Sequence, residues 1–192
     1  MNCDGGILIY QNSQRSYKEF PMKMAEIGVV HRYESSGETH GLLRAREFTQ
    51  DDAHIYCTPD QIKDELKGVI RLFFTMYETY GLEIDRIDLS TRPDRSAGTD
   101  EMWERAEKVM REVLKEEKID YKIKEREGAF YGPKFDFQLL DSMGRMWQCG
   151  TIQLDFAQPE NFSLEYIDEN GDKVRPIMIH RAGYGSIERF MA

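Results

Sequence analysis

The stretch His31–His54, HRYESSGETHGLLRAREFTQDDAH, constrains this chain more than any other. It joins two runs suited to extended backbone, MKMAEIGVVHRYE and LLRAREFTQDDAHIYC, through SSGETHG, whose serines and glycines supply turn conformations. The pattern predicts a long antiparallel hairpin. Side chains alternate across a strand, so Arg44, Arg46, Phe48, Gln50, Asp52 and His54 share one face of the second arm. A charged, solvent-facing hairpin is the ordinary reading for strands so rich in arginine and glutamate, and it needs no such variety. A site for a nucleotide and a small polar substrate does. Guanidinium forks grip phosphate oxygens, and a ring or guanidinium plane stacks on a base.

The 192 residues suffice for one domain with a substantial core. Hydrophobic residues make up 40% and charged residues 32%, which excludes a disordered chain. No apolar run approaches the ~18 residues of a membrane helix, and no charged-then-apolar leader is present, so a cytoplasmic location is expected. Cys3, Cys57 and Cys149 are odd in number and widely spaced, which argues against a disulfide scaffold. The net charge of −9 does not advertise a nucleic-acid binder, so any such partner must meet a local basic surface or another domain.

Elsewhere the punctuation is clear. Thr58, Pro59 and Gln61 predict a capped helix start, Ile62, Leu66, Val69, Phe73, Tyr77 and Tyr80 recur at helical spacing, and Gly81 ends the run. Leu82, Ile84, Ile87 and Leu89 predict a strand with imperfect alternation. After the loop TRPDRSAG, Thr99 caps a second amphipathic helix through Met102, Ala106, Val109 and Val113, and Trp103 belongs to the core. Tyr121 and Ile123 suggest a short strand, and EREGAFYGPK a turn. PKFDFQLLDSMGRMWQCGTIQLDF predicts two strands joined at Ser142 to Gly144, each with one apolar and one polar side, as in a sheet that lines a cleft. Gly150 there marks a bulge or a close approach of ligand to backbone. Glu169 to Asp172 is a hairpin turn. Near the end, Gly183, Gly185 and Ser186 let a helix begin close against a ligand, with Arg189 pointing back into the cleft.

The hairpin resembles motif 2 of the class II aminoacyl-tRNA synthetases, in the form found in the threonyl-tRNA synthetases. The H-R-x-E pair, the loop with S-G and H-G-L, and R-x-R-x-F-T-Q-D-D-A-H are all present. The G-P-K and Q-x-x-T-x-Q-L-D-F segments are similar to that family's, and IHRAGYGSIERF resembles its motif 3. MNCDGG matches its M-N-C-P-G-H, except that Asp4 and Gly6 replace proline and histidine. The resemblance covers essentially the whole chain. It implies an α+β fold, an antiparallel sheet flanked by helices, the class II catalytic fold and not a parallel Rossmann sheet. Residues 1–192 are then expected to be a partial catalytic domain with motifs 2 and 3. Motif 1, which makes the family's homodimer interface, and the editing and anticodon-binding domains would lie outside it. A chain without motif 1 is expected to be marginally stable, and monomeric or non-specifically associated.

The function implied by the resemblance is ATP-dependent activation of L-threonine to threonyl-adenylate and transfer to the 3′ end of tRNA(Thr). The catalytic residues would be Arg32, Arg189, Lys134 and Gln148. ATP would be held by Arg32 at the α-phosphate, Arg44 at the γ-phosphate, Phe48 and Arg189 around adenine, and Glu34 at the adenine amino group, with Gln148 and Thr151 nearby. Threonine and ribose would meet Gln50, Asp52, Tyr131, Lys134 and Gln153. One Zn²⁺ per chain would be bound by Cys3, His54 and His180, leaving a position for the amino nitrogen and hydroxyl of threonine. His31, His40 and Cys57 would be structural. Mg²⁺ would accompany ATP. A non-catalytic paralogue that binds ATP, amino acid or tRNA, and another amino-acid ligase of the same class, are the alternatives.

Overall fold

The computed structural model describes residues 2–192. Seven strands form the large sheet: β1 (Met22–His31), β2 (Glu47–Cys57), β3 (Ile84–Ser90), β4 (Tyr121–Lys124), β5 (Lys134–Leu140), β6 (Met146–Asp155) and β7 (Ile177–Ala182). Their spatial order is β1-β2-β7-β6-β5-β3-β4. All neighbours are antiparallel except the edge pair β3–β4, which is parallel. The class expected from sequence holds.

β1 and β2 pair from Met22 opposite Tyr56 to His31 opposite Glu47. The second arm is shorter than its sequence suggests. Gly41–Leu43 forms a 3₁₀ turn, with Gly41 at a φ of +50°, and extended pairing resumes only at Glu47. Arg44 and Arg46 therefore lie off the strand, where they bind Glu34.

The helices are α1 (Cys3–Gln11), α2 (Ile62–Thr79), α3 (Asp100–Glu116), α4 (Ala157–Asn161) and α5 (Ile187–Met191). The Thr58–Gln61 capping box is present at the entry to α2, where Thr58 N–H donates to the Gln61 side-chain oxygen at 3.1 Å. Gly81 follows α2 at a φ of +67°, a left-handed conformation that stops a helix. Tyr80 falls beyond the last turn and is exposed. Thr99 caps α3 by accepting from Met102 N–H. The buried stripe of α3 runs through Trp103, Ala106, Met110, Val113 and Leu114, so Met102 and Val109 sit at its margin.

One face of the sheet is dry. Ile55, Leu89, Phe135, Phe137, Ile152, Leu154 and Ile179 pack there against Leu66, Ile70 and Phe73 of α2 and Met110 and Val113 of α3. On the opposite face α1 and a small three-stranded sheet cover one end only, through Ile7, Tyr10, Phe20, Tyr56, Leu164, Tyr166 and Met178. The rest of that face is the floor of a cleft.

Gly150 sits at a register shift in β6, where an extra residue intervenes between Gln148 and Thr151 opposite Gln138 and Asp136. Its close neighbours are protein atoms. A Cβ here would lie 2.3 Å from the Tyr77 hydroxyl and 2.9 Å from the Phe73 ring. Neither can retreat, because Phe73 is fully buried and the Tyr77 hydroxyl is bonded to the Gly183 carbonyl. Gly150→Ala is expected to lose about 1–3 kcal/mol through overpacking. A urea midpoint lowered at constant m checks this, and an unchanged midpoint refutes it.

Candidate active site

Strand register builds the floor of the cleft. His54 on β2 lies opposite His180 on β7, His180 opposite Gln153 on β6, and Gln153 opposite Lys134 on β5. Two residues along, Asp52, Ala182, Thr151 and Asp136 form a second transverse row. Directly opposed residues share a face, so residues far apart in sequence become neighbours. The first turn of α1 brings Cys3 over the first row.

Cys3, His54 and His180 offer ligand atoms that all lie within 4.8 Å of one another. Cys3 Sγ is 3.4 Å from His180 Nδ1. His180 Nε2 donates to Asp155 Oδ2 at 2.8 Å, which leaves Nδ1 as the atom facing Cys3. Burial opposes a charged His180 ring, yet the bonds to Asp155 and Cys3 outweigh it and raise the pKa to about 9, so a metal bound at Nδ1 would have to displace that proton. Burial and the neighbouring His180 push His54 down to about 3, so its ring is neutral with a lone pair available. The donor set of two imidazoles and a thiol, one imidazole braced by a carboxylate, fits a three-ligand zinc site.

Four successive inward side chains of β2 carry a buried polar atom with no hydrogen-bond partner among the described residues: Gln50 Oε1, Asp52 Oδ1, His54 Nε2 and, beneath α1, Tyr56 Oη. Folded proteins rarely leave such atoms unpaired, since each costs roughly 1–3 kcal/mol. Asp52 Oδ2 accepts from Asn2 N–H at 2.5 Å, and Oδ1 lies 3.7 Å from His54 Nε2. Burial raises the Asp52 pKa against the pull of that amide. The Tyr131 ring packs 4.9 Å from His180, and its hydroxyl bonds the Gln153 side chain.

Beside these rows opens a cavity of about 360 Å³ lined by Arg32, Glu34, Arg44, Phe48, Gln50, Lys134, Gln148, Thr151, Gln153 and Arg189. An adjoining one of about 680 Å³ shares Arg32 and Gln153 and reaches Cys3 and Tyr131. The Arg32 guanidinium lies 5.1 Å above the Phe48 ring. Arg189 is braced by bonds from Nε to the Leu43 carbonyl and from Nη1 to the Gln148 carbonyl. Arg44 donates through Nε and Nη2 to Glu34 Oε2 at 3.1 and 2.9 Å. Gly185 approaches Cys149 closely, its Cβ position being 2.5 Å from the Cys149 carbonyl oxygen, and Ser186 caps α5 by accepting from Arg189 N–H. The close contacts of Gly183 and Gly185 are thus with the protein itself.

Over residues 1–192 the sequence matches the tRNA synthetase class II core domain (G, H, P, S and T). The chain belongs to this family. It is 58% identical over 191 residues to the threonine–tRNA ligases of Desulforamulus reducens and of Carboxydothermus hydrogenoformans, covering 100% of itself and 30% of each relative. A crystal structure of the RNA-binding domain of threonyl-tRNA synthetase from Cryptosporidium parvum superposes with a TM-score of 0.95 at 43% identity, covering 100% of this chain and 48% of that one. The chain thus spans about a third of the length of the curated relatives it matches.

Most of the site residues expected from sequence in this synthetase core line one of the two cavities, and Asp52, His54 and His180 are buried in the transverse rows beside them. Arg46 lies apart from them. It donates to the Glu34 carbonyl and leans on the exposed Tyr33 ring. Three carboxylates were missed. Asp155 orients His180. Asp51 turns away from Asp52 and accepts from Gly183 N–H, Tyr184 N–H and Arg181 Nη1 at 2.7, 2.9 and 3.0 Å, which fixes the turn into α5. Asp136 gathers donors from three strands. Alternation put Asp155 and Asp136 on polar faces, but it could not say what each would touch. Among the described residues no helix is long and apolar enough to cross a membrane.

Proposed function

We propose that this synthetase core activates L-threonine with ATP and serves transfer of the threonyl group to the 3′-terminal ribose of tRNA(Thr). The observation that carries the reading is the line of unpartnered Gln50 Oε1, Asp52 Oδ1 and His54 Nε2, which runs from the arginine-lined cavity to Cys3 and His180. That line suits a small ligand with several polar groups, docked end-on to a nucleotide. The identity to threonine–tRNA ligases supports the choice of amino acid and the tRNA partner.

In this reading a threonine carboxylate oxygen attacks the α-phosphorus. The bond from that phosphorus to the bridging oxygen breaks, and pyrophosphate leaves with the electron pair. The tRNA hydroxyl then attacks the carbonyl carbon of the adenylate, releasing AMP. Such displacement depends on alignment and charge neutralisation. Arg32 spans both cavities, which suits the α-phosphate at their junction. Phe48 and Arg189 offer planes for adenine. Arg44 serves the γ-phosphate and Glu34 the adenine amino group, with their mutual pair rearranging as ligand enters. Tyr131, Gln153 and Lys134 hold threonine and ribose. Cys3, His54 and His180 would hold zinc, which when bound offers coordination to the amino and hydroxyl groups of threonine. Mg²⁺ would travel with the phosphates.

Arg32→Ala is expected to lower threonine-dependent exchange of pyrophosphate into ATP by about 10²–10³-fold, as for removal of one transition-state donor. Exchange within a few-fold of the parent would remove Arg32 from the α-phosphate.

A further inference from the structure

We propose that Asp136 is the positioning residue of the nucleotide cleft, anchoring the Lys134 ammonium and the Gln148 amide for the activation step; this rests on the function proposed above. Asp136 lies on β5 and is 4% exposed. Each of its oxygens takes two donors. Oδ1 accepts from Gln148 Nε2 at 2.7 Å and from Thr151 Oγ1 at 3.2 Å. Oδ2 meets Lys134 Nζ at 2.7 Å and accepts from Ser90 Oγ at 3.1 Å.

Four donors saturate a carboxylate, so Asp136 has nothing left to offer a substrate and acts through its partners. The consequence for Lys134 is directional. One ammonium hydrogen is committed to Asp136, and two remain for the cavity that Lys134 lines. For Gln148 the consequence is a fixed amide orientation. A carboxylate only accepts, so the amide nitrogen must face Asp136, and the amide oxygen is left for a ligand.

The neighbouring row explains why Lys134 stays in place. Asp136 is directly opposite Asp88, which is 2% exposed. Two facing buried carboxylates repel unless each has its own cation. Asp88 has Arg86 Nε at 2.7 Å and Gln138 Nε2 at 3.1 Å, and among the described residues the one cation on Asp136 is Lys134. Withdrawing the ammonium would leave Asp136 uncompensated. Burial already raises the Asp136 pKa, and Lys134 is the first group to pull it back.

Asp136→Asn keeps the volume but presents an N–H₂ to a pair of donors. In threonine-dependent pyrophosphate exchange kcat is expected to fall by about 10²-fold, as for a misplacement near 1 Å, with KM for ATP nearly unchanged. In a Lys134→Ala background the same substitution should cost far less, because the group it positions has gone. A loss of equal size in both backgrounds overturns the proposal, as does a kcat within about twofold of the parent. One measurement needs no variant. In the parent chain, nitrogen-15 NMR relaxation is expected to show a motionally restricted Gln148 N–H₂ group and a slowly exchanging Lys134 ammonium, and a freely mobile amide with a rapidly exchanging ammonium would refute the anchoring. Calorimetric ATP titration of the parent separates the two levels. No ATP binding overturns the nucleotide function and this role with it, whereas binding and turnover indifferent to Asp136→Asn overturn this role alone.

Discussion

Replacing Cys3, His54 or His180 by alanine is expected to reduce bound zinc from one per chain to near zero after metal stripping, reconstitution and dialysis. The three come from α1, β2 and β7, and the fold converges their ligand atoms to within 4.8 Å. His54 is neutral, and its Nε2 is buried without a partner among the described residues. Asp155 holds Nε2–H of His180, so Nδ1 faces the same space. With only three protein ligands, the site cannot spare one. The loss should exceed the about 10–100-fold in affinity expected when only an orienting partner is removed, which is the expectation for Asp155→Asn. Elemental analysis gives the stoichiometry and chelator competition the affinity. Unchanged stoichiometry in all three alanine variants would sink the assignment.

Asp52→Ala is expected to narrow the threonine-to-valine activation ratio by about 10–100-fold, the equivalent of one hydrogen bond to a charged group. Valine has a methyl where threonine has a hydroxyl, and an apolar pocket separates such isosteres weakly. A site built to bond the hydroxyl reaches ~10⁴–10⁵, because the analogue leaves its polar groups unpaired. Asp52 Oδ1 is such a group. It is buried, lacks a partner among the described residues, and lies beside His54, while Oδ2 is held by Asn2. The substitution should reduce threonine activation far more than residual valine activation. Serine keeps the hydroxyl and should compete in both proteins. A threonine-to-valine ratio indifferent to Asp52→Ala assigns the discrimination to the metal alone.

The parts of this molecule written in local chemistry were readable from its sequence. The helix opened by Thr58 and closed by Gly81 forms as expected because capping and left-handed termination involve neighbouring residues only. The polar face of β2 was likewise legible from alternation. What local pattern missed depends on pairing. The strand was expected to start at Leu42, but His40 and Arg44 bond each other across a 3₁₀ turn, and Arg44 folds back onto Glu34. Cys3 and His180 stand 177 residues apart, so no spacing could announce them, and only the resemblance to a family picked them out. Gly150 was read as a bulge or a ligand approach. The bulge is real, and the close approach is that of Phe73 and Tyr77. Asp136 and Asp155 were invisible as functional groups because strand register alone decides which donors surround them.

The central claim is that this cleft selects and activates threonine. Amino-acid-dependent exchange of pyrophosphate into ATP, run on the zinc-loaded chain with threonine, serine, proline and glycine, tests it most directly. The account predicts exchange strongest with threonine, weaker with serine, and at background with proline and glycine. Exchange driven best by proline or glycine would contradict it, and so would ATP binding with no exchange for any of the four.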